Sequence, residues 1–171
     1  MKLLLVIAPE NFRDEELQVP RSVFDRHGIA YDIASNKTGT CSGMLGATAE
    51  ATLALDDVVP EEYAGIVIVG GIGAQDHLWG NARLQDLVRT FFESGCLVAA
   101  ICLSPVVLAR AGVLRGREAT VFRSPASVQE MEKGGAVLVD IPVVADMDLI
   151  TAAGPSVAEA FAEEIVDKLV C

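Results

Sequence analysis

Residues 97–112 read LVAAICLSPVVLARAG, and their reading decides the fold. Leu97-Val98-Ala99-Ala100-Ile101 is a short apolar run of the length expected for a strand covered on both faces. Ser104 and Pro105 then give a helix-start signal. Serine can cap, and proline suits the first turn because its missing N–H would have no partner there. Val106, Val107, Leu108 and Ala111 follow at helical spacing, and Gly112 suits a left-handed C-terminal position. The strand therefore runs almost directly into the helix, with Cys102 in the tight corner between them. The first N–H groups of a helix lack intrahelical partners and carry partial positive charge. A thiol held there is easier to ionise, and those N–H groups can stabilise an oxyanion. A nucleophile at such a strand–helix corner is a known arrangement in α/β enzymes. A buried, inert cysteine at a strand end is the alternative.

The rest of the chain is consistent with one α/β domain over residues 1–171, with a largely parallel sheet. Half of the residues are apolar, which suits a sheet covered on both faces. No apolar run approaches membrane-spanning length. Met1 to Ala8 is apolar but too short for a signal peptide, so it reads as a first strand and the protein as cytoplasmic. The net charge is −11, from 24 acidic and 13 basic residues, which disfavours nucleic acid and anionic membranes as partners. Cys41, Cys96, Cys102 and Cys171 form no CxxC pair, and only His27 and His77 could join them, so neither a metal site nor a disulfide framework is expected. Burial is the default for Cys96, and mobility for the terminal Cys171.

In chain order, Lys2–Ala8 predicts a strand ended by Pro9. Glu10 to Val19 is acidic and lies at that strand's C-terminal edge, where sites collect in open α/β sheets. Pro20 predicts the first turn of a helix ending near His27-Gly28, with Glu15 and Glu16 just before it in a loop or preliminary turn. Ile29–Ala34 predicts a second strand, 39–55 short strands or a hairpin, and Gly65–Val69 a buried strand. The turn Gly70-Gly71-Ile72-Gly73 lacks the third small residue of a dinucleotide fingerprint, so close backbone approach beside the cysteine corner explains it better. Asn81 to Gly95 predicts an amphipathic helix, with Trp79 just before it as a packing anchor. A strand near Ala119–Phe122 and a helix near Pro125–Lys133 follow. Three short strands at 137–139, 142–144 and 149–151 suggest a small meander, and Ser156 is a candidate cap for the last helix.

Taken together, the stretch Asn11 to Leu17 with Pro20, the run Val69-Gly70-Gly71, the Ala100-Ile101-Cys102 corner with Pro105, Ala111-Gly112-Val113-Leu114 and Ala153-Gly154-Pro155 resemble, end to end, the PfpI-like intracellular proteases and the parkinsonism-associated deglycase. These belong to the class I glutamine amidotransferase-like superfamily. The resemblance implies a three-layer flavodoxin-like sandwich, no cofactor, and a homodimer or higher homo-oligomer. It also implies that Cys102 is the reactive thiol and that Glu16, four residues before Pro20, is the carboxyl that meets it. The N–H groups of Gly71 and Leu103 fall at the oxyanion-binding positions. The chain departs from the catalytic members where they carry Cys-His-Gly-Pro, because it reads Cys102-Leu103-Ser104-Pro105. The histidine position of other relatives falls at Ser124 or its neighbour. His77 is the candidate accessory imidazole, with an exposed loop position as the plainer expectation.

Three functions are open at this level. The first is a cysteine-dependent enzyme acting on a small electrophile such as a 2-oxoaldehyde, or on an amide, although amide cleavage is the weakest version without an imidazole acid. The second is a redox-responsive or protective protein whose Cys102 oxidises to a stabilised sulfenate or sulfinate. The third, a flavodoxin-like cofactor binder, is disfavoured by the incomplete glycine fingerprint.

Overall fold

The computed structural model describes residues 2–170, so expectations for Met1 and Cys171 lie outside the described residues. Seven strands form the main sheet: β1 (Lys2–Val6), β3 (Ala30–Ser35), β6 (Leu53–Ala54), β7 (Gly65–Ile68), β8 (Leu97–Ile101), β11 (Val143–Asp146) and β12 (Leu149–Ala152). Their order is β11-β12-β8-β7-β1-β3-β6, and every neighbour pair is parallel except the β11–β12 hairpin. β7, β8 and residues 3–6 of β1 are apolar throughout because helices cover both faces. Along β1 and just beyond it, Leu3, Leu5 and Ile7 pack to one side and Leu4, Val6 and Ala8 to the other.

The first side meets α1 (Asp14–Arg26) and α6 (Ala158–Val170), through Leu17, Phe24, Phe161 and Ile165. The second meets α3 (Ala82–Glu93) and α4 (Pro105–Ala111), through Leu84, Leu87, Phe91, Val107 and Leu108. Asn81 caps α3 by accepting from the Leu84 N–H at 2.9 Å. Each fully buried phenylalanine or leucine contributes about 1.5–3 kcal/mol, so the two apolar layers fix the strand order between them.

Outside this sheet, β2 (Glu10–Phe12) pairs with β4 (Gly39–Gly43), which forms a hairpin with β5 (Thr48–Ala51), as the 39–55 pattern predicts. The short helix α2 (Ile72–His77) follows β7. The strand β9 (Glu118–Ala119) pairs in parallel with β10 (Val137–Leu138) across α5 (Pro125–Lys133).

Four expectations are corrected. The helix assigned to Pro20 begins at Asp14, so Glu15 and Glu16 occupy its first turn, where acids meet the positive end of the dipole. Pro20 lies inside α1 and removes the backbone bond that would run to the Glu16 carbonyl. The three late strands form no meander, because β10 leaves to join β9 while β11 and β12 extend the main sheet. The strand expected at 119–122 starts and ends earlier; after Ala119 the Thr120 N–H bonds the Thr151 hydroxyl instead. Ser156 lies inside a 3-10 turn, Pro155–Val157, that precedes α6.

Candidate functional site

The site lies where β7, β8 and β12 end. Strict alternation along β8 places Val98 and Ala100 with the α3–α4 layer and Leu97, Ala99 and Ile101 with the α1–α6 layer. Cys102 breaks the alternation and packs on the same side as Ile101. Its φ of 66° is the cause. That left-handed conformation is rare for a residue with a Cβ, and here the surrounding hydrogen bonds hold it. The Cys102 N–H donates to the Ala152 carbonyl at 2.8 Å, and the Cys102 carbonyl accepts from Phe122 at 2.7 Å.

Pro105 occupies the first turn of α4, and Gly112 ends it at φ 88°, both as expected. Ser104, by contrast, is already helical and caps nothing. Its buried hydroxyl donates to the Val69 carbonyl at 2.7 Å and ties the corner to the end of β7.

Glu16 reaches the same point from α1 and is fully buried. Its Oε1 accepts from the Gly70 N–H at 3.0 Å, while Oε2 has no hydrogen-bond partner. The carboxyl stands against the Cys102 thiol. Burial pushes the Glu16 pKa up to about 8, opposed by the neighbouring thiol, the Gly70 N–H and the Arg13 charge. Burial likewise pushes the Cys102 thiol up to about 12, reinforced by the Glu16 charge. The backbone N–H groups of Gly71 and Leu103 act in the opposite sense. The helix start alone therefore does not make Cys102 acidic: desolvation and the adjacent carboxyl outweigh it. At neutral pH the pair holds two protons, and above about pH 8 it holds one between two sites.

The glycines permit this assembly. A Cβ on Gly70 would lie 2.5 Å from the Cys102 Cβ and 2.6 Å from Glu16 Oε1. At Gly71, with φ 109°, a Cβ would strike the backbone of Phe12 and Arg13, and at Gly73 the Glu10 carbonyl. The turn thus accepts β2 directly against it, and the Arg13 N–H donates to the Gly70 carbonyl at 2.9 Å. This is backbone approach, not a phosphate cradle.

The structure brings Cys102, Glu16, Gly71 and Leu103 together and leaves His77 with another partner. The His77 Nε2 is 3.2 Å from Glu10 Oε1, so its ring fastens α2 to β2. Ser124 caps α5 in a reciprocal box with Ser127, a structural use of that position. Gly70 and Trp79 escaped the sequence reading as site residues. A lone buried tryptophan needs a partner for its indole N–H, and Trp79 finds it in the Leu103 carbonyl at 2.8 Å. Beside the corner, residues 120–123, 140–142 and 153–157 line an open surface pocket of about 570 Å³. Among the described residues, no group of three or more His, Cys, Asp or Glu side chains could hold a metal ion, and no helix is long and apolar enough to cross a membrane.

Comparison with known proteins agrees with this architecture. An uncharacterized protein of Methanocaldococcus jannaschii is 47% identical over 168 residues, covering 98% of this chain and 82% of its own. A Pyrococcus horikoshii protein named a deglycase is 35% identical over 169 residues, 99% of each chain. The crystal structure of a ThiJ/PfpI domain protein from Brachyspira murdochii superposes with a TM-score of 0.94 at 30% identity, covering 98% of this chain and 95% of that one. Drosophila melanogaster DJ-1beta gives 0.87 at 29% identity, covering 98% and 90%. The DJ-1/PfpI family model matches residues 1–168, and the chain belongs to that family.

Proposed function

We propose that the chain is a cysteine-dependent enzyme of the deglycase or glyoxalase type, acting in the cytoplasm on small electrophilic carbonyl compounds such as 2-oxoaldehydes. The observation that carries this reading is the buried carboxyl of Glu16, with one oxygen held by Gly70 and the other unpartnered beside Cys102 in the strand–helix corner. Relatives named deglycases support it. Free thiols at Cys41, Cys96 and Cys102 fit a reducing compartment.

In the first step the Cys102 sulfur attacks the aldehyde carbon and a C–S bond forms. The thiol proton passes to the Glu16 carboxylate, and the carbonyl π pair moves to oxygen, near the N–H groups of Gly71 and Leu103. Glu16 then returns the proton to that oxygen, giving a hemithioacetal. A proton then moves from the former aldehyde carbon to its neighbour through an enediol, which oxidises the first carbon and reduces the second to give a 2-hydroxy thioester. Water cleaves the C–S bond and returns the thiol, so that overall a 2-oxoaldehyde and water give a 2-hydroxy acid with no external oxidant. Amide cleavage fits less well, because Leu103 stands where an imidazole would protonate the leaving amine. The same donors around the sulfur also suit an oxidised cysteine, which keeps a protective redox role as the second reading.

The test is methylglyoxal loss with appearance of a 2-hydroxy acid. Turnover that disappears in Cys102→Ala supports the enzyme; turnover that survives the substitution removes the proposed site. Selective oxidation of Cys102 without turnover favours the second reading. A homodimer belongs to the same proposal, and light scattering at micromolar concentration tests it against the monomer mass of 18.1 kDa.

A further inference from the structure

We infer that Trp79 is a positioning residue for the Cys102 site, holding Leu103 so that its N–H faces the sulfur. The inference rests on the reading of Cys102 as the reactive thiol. It follows from a full account of the main-chain groups at the corner. The Cys102 N–H goes to Ala152 and its carbonyl takes Phe122; the Ser104 N–H bonds Ile101 at 3.1 Å, and the Ser104 carbonyl accepts from Val107 at 2.9 Å. Those four groups are satisfied by backbone. Leu103 is different. Its N–H follows directly on Cys102 and donates to no backbone carbonyl among the described residues, and its carbonyl depends on one side chain, the indole of Trp79, at 2.8 Å.

Trp79 is itself well fixed. It is 4% exposed. The Gln85 amide donates to its carbonyl at 3.0 Å, and the Arg110 guanidinium lies over its ring at 5.6 Å. Removing the indole N–H leaves the Leu103 carbonyl without its donor. Residue 103 can then rotate to find another, and its N–H turns with it.

The test separates positioning from packing. Trp79→Phe removes the donor and keeps a ring. Replacement by benzothienylalanine removes only the N–H and keeps the shape of tryptophan. Arg110→Gln disturbs the ring's other contact and leaves the donor in place. Iodoacetamide alkylation of Cys102 is followed across pH in the whole protein, with peptide mass spectrometry to isolate this thiol.

Loss of one N–H from the thiolate is expected to raise the thiol pKa by about one unit, so alkylation at a fixed pH below it slows roughly ten-fold. Both indole variants should show this and Arg110→Gln should not. If aldehyde turnover is present, kcat should fall more than KM rises. An unchanged profile in the benzothienyl variant overturns the inference, as does equal slowing in Arg110→Gln. If Trp79→Phe fails to fold, the benzothienyl variant decides. Absence of turnover in the wild type would count against the enzyme proposal alone, because the alkylation profile still reports on Leu103.

Discussion

At the scale of single residues, Glu16 has two opposite effects on Cys102. As a carboxylate it is the nearest base for the thiol proton, yet its charge also holds that thiol up. Glu16→Gln therefore separates reactivity from catalysis. The amide removes the charge, so alkylation of Cys102 at pH 9 should become faster, by about ten-fold for each unit the thiol falls. Turnover of methylglyoxal should become slower, by roughly 10²-fold or more, because no group remains to take and return the proton. In the wild type, kcat/KM should rise with pH through about 8, as Glu16 becomes the carboxylate that accepts the proton. Equal slowing of alkylation and turnover in Glu16→Gln would mean the carboxyl activates the thiol directly. Cys102 was legible as a candidate from its place after an apolar run, whereas Glu16 was pointed to only by the family resemblance, as the glutamate four residues before Pro20. Their protonation was not, because it depends on burial by chain segments that sequence does not place. Gly70 was hidden for the same reason: its need to lack a Cβ arises from Glu16 and Cys102, which lie far from it along the chain.

At the scale of elements, the site depends on how α1 starts. Arg13 precedes the helix without a side-chain cap, and three acids fill the first turn. Asp14 points away from the thiol and accepts from the Leu45 and Ala47 N–H groups at 3.1 and 2.9 Å. It thereby binds the β4–β5 loop to the same turn that delivers Glu16. Asp14→Ala should release the loop and cost about 2–3 kcal/mol, the range expected on losing hydrogen bonds to a buried charged acceptor. Urea denaturation measures that loss, and faster proteolysis within residues 43–47 would locate it. Unchanged stability would show that the loop is held by strand pairing alone. The sequence pointed to Pro20 as the helix start because proline favours a first turn, but tertiary packing of Leu17 and burial of Glu16 extend the helix six residues upstream. The late strands were misassigned for a related reason. Residues 137–138, 143–146 and 149–152 are all short, and only long-range pairing sends the first to β9 and the last to β8, with 143–146 added at the edge beside 149–152. The pattern at Leu97–Ile101 was clear because a doubly covered strand needs no partner to announce its burial.

At the scale of the whole molecule, an uncharged carboxyl in the core sets the pH dependence of stability. Glu16 has its pKa pushed up to about 8 in the folded protein, from an ordinary value of 4.5. Below 4.5 both states hold the proton and Glu16 makes no demand on folding. As pH rises from 4.5 to 8 the unfolded chain releases the proton while the native state retains it. The native state then binds more protons, and the unfolding free energy falls with pH. Above 8 the loss is complete, on the order of 3–5 kcal/mol for a shift of this size. Cys102 adds a further loss above its ordinary range, since its thiol is also pushed up. On the acid side, Glu15, Asp32 and Glu130 are held low by Arg13, Lys2 and Arg110, but these pairs are partly exposed and contribute little. Stability should therefore be greatest near pH 5 and decline towards pH 8. The net charge of −11 would produce a decline of the same sign through self-repulsion. Salt separates the two, because screening weakens surface repulsion and leaves a buried carboxyl almost untouched. The decisive comparison is urea denaturation of the wild type and Glu16→Gln at pH 5, 6.5 and 8 in high salt. The wild-type curve should fall across this range, and the amide, which has no proton to lose, should stay nearly level and become the more stable form at pH 8. Parallel curves would mean that Glu16 is ionised throughout, and the thiol would then face a carboxylate at every working pH.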